Sequence, residues 1–298
     1  MTFPARLIAV VSSGTRPSLT SALCAREAAR QGQQMLCVGL TLNPHHAGSE
    51  DVGDLLKAAR PLGFAGLDIT GPFQELVTEN LDELAPEARS LGAANIVVFQ
   101  DGRTIGHNTE VTGFAKSFAC GLSEVPARRV VQLGTGRAGA AAAHALLTLG
   151  TGQLTVVDSD PARAIVFTRK LNQEFGNARA TAAHLDDLPG AVAHADGMVN
   201  AVPLGACSEV VLRPGVLHSG LWVTEAAHHP QGTDLLQAAA AAGCRTLRGG
   251  HTAVFQASDS LRLLTGLEAR TDRLLADVDF LLGDRTEGRA ATDASVPM

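Results

Sequence analysis

The chain has 298 residues, 45% of them hydrophobic and 18% charged, with a formal net charge of −6. That balance predicts a globular protein with a buried core, and at roughly 150 residues per domain it predicts two domains. The acidic total argues against a nucleic-acid partner, which needs basic patches, and no apolar run approaches the ~18 residues of a membrane span.

Aromatic residues make up only 4% of the chain, so Ala, Val and Leu must fill the core. Such a core suits buried parallel strands flanked by helices. The five cysteines, Cys24, Cys37, Cys120, Cys207 and Cys244, show no CxxC spacing. They read as reduced thiols of a cytoplasmic protein, with no disulfide framework and no metal site. The first apolar run, Leu7–Val11, is too short for a signal peptide.

In chain order, Leu7–Val11 predicts a strand, Thr20–Gln31 a helix, Met35–Leu40 a strand and Asp51–Leu62 a helix. Ala65–Ile69 then predicts a strand, Leu81–Leu91 a helix and Asn95–Gln100 a strand. Asp101-Gly102 is a hairpin turn leading into a short strand, Thr104–His107. The next elements are a strand at Val130–Leu133, a helix at Arg137–Leu149, a strand at Gln153–Val157 and a helix at Pro161–Phe175. Further strands fall at Gly197–Asn200, Trp222–Val223 and Arg245–Leu247, with a helix at Leu235–Ala242. Helical pattern closes the chain over Val254–Leu264 and Glu268–Leu282, and the polar tail, 283–298, is expected to be disordered. Strands alternating with helices give an α/β fold. The expected organisation is an N-terminal α/β domain over 1–108, completed by 249–282, and a Rossmann domain over 109–248 with a cleft between them.

The run VVQLGTGRAG follows a strand and opens a helix. Gly134, Gly136 and Gly139 fit GxGxxG. The first permits a tight turn, the second lets the backbone approach a pyrophosphate, and the third lets helix pack on strand. Thr135, Arg137 and Ala138 complete the loop, whose helix N-terminus offers N–H groups to phosphate. Asp158, at the end of the next strand, is placed to accept from the adenosine ribose and to repel a 2′-phosphate. NAD is therefore expected over NADP, with Arg163 as a nearby cation weakening the preference.

Several segments together resemble the shikimate/quinate dehydrogenase family. PSLTSALCARE is similar to the family's substrate-carboxylate segment and places Ser18 and Thr20 at its two hydroxyl positions. GFAGLDITGPFQE, which holds Thr70, resembles GxNVTxPxK. LGAANIVVF, with Asn95, resembles GAxNTxV, and GHNTEVTGF resembles GxNTDxxGF. NAVPLG resembles the NATPxG beside the nicotinamide, with Asn200 and Val202. RGGHTAVFQASDSLRLLTG resembles the closing motif, with Gly249 toward the cofactor and Gln256 toward the substrate. The resemblance implies a small-molecule carboxylic acid substrate bound by Ser18, Thr20, Thr70, Asn95 and Gln256, and a monomer or homodimer.

The departures fall in the chemistry. The family's catalytic lysine falls at Gln74, its partner aspartate at Glu110 and its asparagine at Asp68, while a tyrosine of the substrate wall falls at His228. Glutamine does not titrate near neutral pH. Ionised Asp68 and Glu110 with neutral Gln74 sum to −2, where the family trio sums to zero. The expected site therefore has Glu110 and Asp68 as candidate bases and Gln74 as a hydrogen-bond donor to the reacting oxygen. The missing cation points to an amino-substituted ring acid as one substrate. Simpler roles stand beside these. Ser18 and Thr20 suit helix caps, Glu110 suits a helix N-terminus, and Asp68 suits a strand-end turn. His107 fits a supporting donor, His251 a proton carrier, and His228 with His229 a solvated loop. A non-catalytic nucleotide-binding homologue and a non-redox enzyme using the same residues are the alternative functions.

Overall fold

The computed structural model describes residues 5–14, 18–176, 178–202, 215–227, 233–278 and 280–281. The expectations for Cys207, His228, His229 and the tail 283–298 lie outside the described residues. Contacts divide the chain into two compact units. One holds the chain through Gly113 together with Ala253–Leu281, and the other holds Phe114–Thr252.

The first unit carries β1 (Arg6–Ser12), α1 (Leu19–Arg30), β2 (Met35–Thr41), α2 (Ser49–Ala59) and β3 (Phe64–Ile69). There follow α3 (Phe73–Leu76), β4 (Glu83–Leu84), α4 (Pro86–Leu91), β5 (Ile96–Gln100) and β6 (Arg103–His107). The sheet order is β2-β1-β3-β5-β6-β4. β1 runs parallel to β2 and β3, whereas β5 is antiparallel to β3 and β6. Alternate residues of β1 and β3, among them Ala9, Val11, Leu67 and Ile69, pack on Val52 and Leu56 of α2 and on Phe73.

Two local predictions can be compared directly with this unit. The hairpin turn is present, with φ of +49° at Asp101 and +82° at Gly102, the double positive φ that joins strands of right-handed twist. The single helix expected over Leu81–Leu91 is absent. Pro86 sits at the first helical positions and Ala85 before it is extended, ψ 155°, because a proline ring disfavours helical backbone in the residue preceding it. Residues 83–84 instead pair in parallel with Ile105 and Gly106.

The second unit begins within α5 (Thr109–Gly121) and ends within α10 (Gly249–Thr265). Between them lie β7 (Arg129–Leu133), α6 (Arg137–Thr148), β8 (Gln153–Val157), α7 (Pro161–Phe175) and β9 (Ala180–Ala183). Then come α8 (Leu188–Ala193), β10 (Gly197–Asn200), β11 (Trp222–Glu225), α9 (Asp234–Ala241) and β12 (Arg245–Leu247). All six strands are parallel, in the order β12-β11-β10-β7-β8-β9. The chain winds outward from β7 to β9 and then returns to β10 on the other side of β7. That reversal makes the C-terminal ends of β7 and β10 the switch point where α/β sheets take ligands. β9 and α8 carry no strong periodicity and escape a reading of the sequence; β9 pairs through its backbone with β8, which no side-chain pattern announces.

Candidate active site

In the first unit, three polar side chains converge at the end of β3. Asp68 is the next-to-last residue of that strand and is 4% exposed among apolar neighbours. Its Oδ2 accepts from the Ser18 hydroxyl at 2.6 Å and the Ser21 hydroxyl at 2.5 Å. Ser18 also caps α1, its Oγ accepting the Ser21 N–H at 3.0 Å. The capping role foreseen for Ser18 is thus realised, and its one hydroxyl proton is directed to Asp68. Asp68 is no turn residue; it lies within the strand and closes a cluster with α1. Burial drives its carboxyl above the ordinary aspartate range, the two serine hydroxyls oppose that rise, and the charge of Glu110 adds to it.

After β3 the chain turns through Gly71, at φ +65°, and Pro72 into α3. This brings Gln74 back beneath the strand end and leaves Glu75 exposed, so Gln74, not Glu75, occupies the site. Its Nε2 donates to Ile69 O at 3.1 Å and to Glu110 Oε1 at 3.0 Å. The amide orientation is dictated, since the reverse would set its oxygen against two acceptors. Both N–H groups are therefore spent. The donor role expected for Gln74 is corrected: toward a ligand its side chain offers the carbonyl oxygen, an acceptor.

Glu110 stands in the first turn of α5, but Asn108 does the capping, its Oδ1 accepting the N–H groups of Glu110 and Val111, each at 3.1 Å. The Glu110 carboxylate is thereby released to Gln74. Among the described residues no ion pair joins Asp68, Gln74 or Glu110 to a cation.

The other expected substrate residues are placed differently. Asn95 is turned to Thr109, accepting its N–H at 2.7 Å and donating to its hydroxyl at 2.9 Å, and Ser260 bonds the same hydroxyl. Among the described residues no side-chain hydrogen bond draws Asn95 to the cluster; it anchors the start of α5 that carries Glu110. The Thr70 hydroxyl donates to Val11 O at 3.1 Å. Thr20 lies in the first turn of α1, nearly buried. Gln256 backs onto Gly113, where an added Cβ would stand 2.8 Å from the Gln256 nitrogen. His107 pairs with Glu87 at 3.3 Å. Ser21 was not foreseen; its only signal was its position three residues after a helix-capping serine.

In the second unit the glycine turn leaves β7. Gly134 has φ +92°, and a Cβ there would strike Val202 Cγ1 at 2.7 Å. A Cβ on Gly139 would lie 2.3 Å from Gly134 O, so helix and strand meet as closely as backbone allows. Gly136 differs: a Cβ there would meet open space. Gly136 is the N-cap of α6, and no side chain caps the N–H groups that open the helix. Such a helix start is suited to a pyrophosphate. Gln132, buried in β7, donates to both Gly134 O and Gly139 O at 2.9 Å and ties the turn shut. It was also unforeseen, although a lone polar residue in VVQL was its sign.

Asp158 accepts from the Thr135 N–H at 2.8 Å, the Thr135 hydroxyl at 2.6 Å and the Asp160 N–H at 3.0 Å. Burial raises its pKa, but these bonds and the Arg163 charge outweigh burial and hold the carboxyl below the usual aspartate range. Beside it lies a cavity of about 350 Å³ lined by Thr135, Arg163, Val166, Phe167 and Lys170. Asn200 ends β10 opposite Leu133, and its Oδ1 accepts the Val202 N–H at 3.4 Å. Gly249 begins α10. The open face at Gly136, the uncapped helix and the ionised Asp158 all fit a dinucleotide.

A mixed α/β unit with a buried carboxylate cluster, joined to a doubly wound parallel unit with a dinucleotide turn, defines a two-unit α/β nicotinamide-type oxidoreductase. The comparisons give the family. Residues 10–97 match the profile of the shikimate dehydrogenase substrate binding domain. The chain is 51% identical over 285 residues to shikimate dehydrogenase (NADP(+)) of Streptomyces avermitilis, covering 95% of this chain and 98% of that one. It is 39% identical to quinate/shikimate dehydrogenase (NAD(+)) of Corynebacterium efficiens, covering 91% and 96%. The structure of quinate dehydrogenase from Corynebacterium glutamicum in complex with NAD superposes with a TM-score of 0.84 at 36% identity, covering 93% of this chain and 99% of that one. The chain belongs to the shikimate/quinate dehydrogenase family of NAD(P)-dependent oxidoreductases. Relatives of both cofactor names occur. Among the described residues no helix is long and apolar enough to cross a membrane.

Proposed function

We propose that the chain oxidises a hydroxyl of a ring polyol carboxylic acid of the shikimate/quinate class, with NAD as the oxidant and Glu110 as the base. One observation carries this reading. The Gln74 Nε2 to Glu110 Oε1 bond, 3.0 Å, joins the two positions where the family resemblance places a lysine–aspartate pair. With lysine replaced by a neutral amide, Glu110 is the titratable member of the pair. A bound nicotinamide would supply the hydride acceptor for the carbinol carbon. The hydroxyl proton goes to Glu110, and Gln74 fixes the carboxylate while its carbonyl oxygen accepts from a neighbouring hydroxyl of the polyol. General-base help of this kind is typically worth about 10²–10⁴-fold.

NAD is preferred because Asp158 is ionised and already holds the Thr135 loop; a 2′-phosphate there meets a carboxylate. Gly134–Gly139 carry the pyrophosphate, and Asn200, Val202 and Gly249 the nicotinamide side. Thr20, Thr70 and Gln256 line the substrate. A second reading, an amino-substituted ring acid, is favoured by the absence of an ion pair to Glu110 among the described residues, which leaves that carboxylate to pair with a substrate ammonium.

The test is reduced-nicotinamide absorbance with shikimate, quinate and their amino analogues, for the wild type and Gln74→Lys. Turnover by the wild type that falls in Glu110→Gln supports the Glu110 enzyme. Tight NADH binding without any turnover means a non-catalytic homologue, and consumption of the acid without a change in nicotinamide absorbance means a non-redox enzyme.

A further inference from the structure

Two serine hydroxyls, from positions 18 and 21, converge on a single oxygen of a buried aspartate. Ser18 and Ser21 both donate to Oδ2 of Asp68, at 2.6 and 2.5 Å. Both bonds occupy Oδ2, so a proton carried by the carboxyl group has its place on the other oxygen, Oδ1. We propose that Asp68 acts as a neutral carboxylic acid whose Oδ1–H donates to the substrate, and that Ser21 is the positioning residue that keeps it in this orientation. This rests on the substrate class proposed above.

The surroundings carry the same conclusion. Among the described residues no cation bonds Asp68, and the side chain is 4% exposed, so an ionised form would be buried without a counter-charge, which is costly. The ionisable group that acts on it is Glu110 from α5, and its own charge reaches the thiols of Cys24 from α1 and Cys37 from β2; none of these supplies a positive charge. A bound ring acid would add a further negative charge. Burial and Glu110 favour the protonated form against the two hydroxyls.

A protonated aspartate has the shape of asparagine and, like its amide nitrogen, a donor at one branch. Ser18, whose single proton is spent on Oδ2, then hands its donor function to the acid: Ser18 O–H to Oδ2, and Oδ1–H to the ligand. Asp68 is thereby excluded as the base, and the cluster holds one negative charge, that of Glu110, not two. The arrangement also makes recognition depend on pH. A ligand that needs the Oδ1 proton is held below the Asp68 pKa and released above it.

The test uses the full chain. Shikimate and quinate affinities are measured by calorimetry from pH 5 to 9 for the wild type, Asp68→Asn and Ser21→Ala, and the Asp68 carboxyl is titrated by carbon-13 NMR without ligand. The expected result is an Asp68 midpoint above that of an ordinary aspartate and, above that midpoint, about a tenfold loss of affinity per pH unit. In Asp68→Asn the profile becomes flat with affinity retained. In Ser21→Ala the midpoint moves to higher pH, since a hydroxyl donor favours the ionised form; a merely structural serine would weaken binding equally at every pH. An Asp68 carboxyl that titrates like an exposed aspartate, or a Ser21→Ala midpoint that stays in place, overturns the proposal. If neither acid binds at any pH, the substrate class fails, while the NMR midpoint still decides the protonation of Asp68.

Discussion

The glycine turn after β7 and the polar cluster at the end of β3 both sit where parallel strands deliver their C-terminal residues, yet they are built from different materials. The turn is made of backbone. Gly134 and Gly139 are required by contacts of 2.7 and 2.3 Å that any Cβ would create, while a Cβ at Gly136 would meet open space. The cluster is made of side chains. Asp68, Gln74, Glu110, Ser18 and Ser21 come from four elements and are fixed by hydrogen bonds. A backbone site tolerates few sequences and is therefore recognisable, whereas a side-chain site changes its chemistry with a single substitution while the fold stays in place. This chain illustrates both: its glycine turn keeps the GxGxxG spacing, and under the proposed function its polar cluster does the family's chemistry with other residues.

Four substitutions set these two sites against each other. Glu110→Gln has the largest expected effect, a fall in turnover of about 10²–10⁴-fold with NADH affinity unchanged, read by steady-state rates beside NADH titration. Undiminished turnover would move the base elsewhere. Next, Gly139→Val forces a side chain against Gly134 O. Overpacking of this kind costs about 1–3 kcal/mol, so NADH affinity should drop about 10- to 100-fold while shikimate affinity, measured without cofactor, holds. Loss of both would show that the two units do not act independently.

Asp158→Ala removes a charged hydrogen-bond partner, worth about 1.5–3 kcal/mol. NAD affinity should fall about tenfold or more and the preference should shift toward NADP, read as the ratio of kcat/KM for the two cofactors. An unchanged ratio would assign cofactor choice to Arg163 and Lys170 instead.

The smallest expected effect is on stability. The folded pKa of Asp68 is raised, so between the unfolded and folded values the native state binds more protons than the unfolded chain. Its contribution is complete below the unfolded pKa and is lost as pH rises through the folded one. Asp68→Asn should therefore raise the melting temperature relative to wild type at alkaline pH, with the gain shrinking on acidification. A constant difference across pH would mean that Asp68 is ionised throughout. Asp158 has the opposite sign: its lowered pKa stabilises the fold above the unfolded value and loses that effect as pH falls through the folded one.

Most regular elements were legible in the sequence because each is short-range. Pro161 and Asp160 start α7, with the Asp160 side chain accepting from the Ala162 N–H at 2.9 Å. Asp101-Gly102 makes the hairpin, and the apolar runs of β1, β7 and β8 are buried strands. The helix expected at Leu81–Leu91 does not form over that range because Pro86 holds Ala85 before it in extended backbone. β9 was invisible because an alanine-rich strand is held by backbone pairing alone.

From sequence alone came the alternation of strand and helix, the dinucleotide turn and the candidates Asp68, Gln74 and Glu110, since each is written in neighbouring residues or in a motif of fixed spacing. The tertiary structure decided what those candidates do. It brought Ser21 to Asp68 across 47 positions, gave the capping of α5 to Asn108 and so released Glu110, and turned the Gln74 amide so that both its protons are spent. Hydrogen-bond direction and burial depend on which distant groups meet, and only the packed chain settles that.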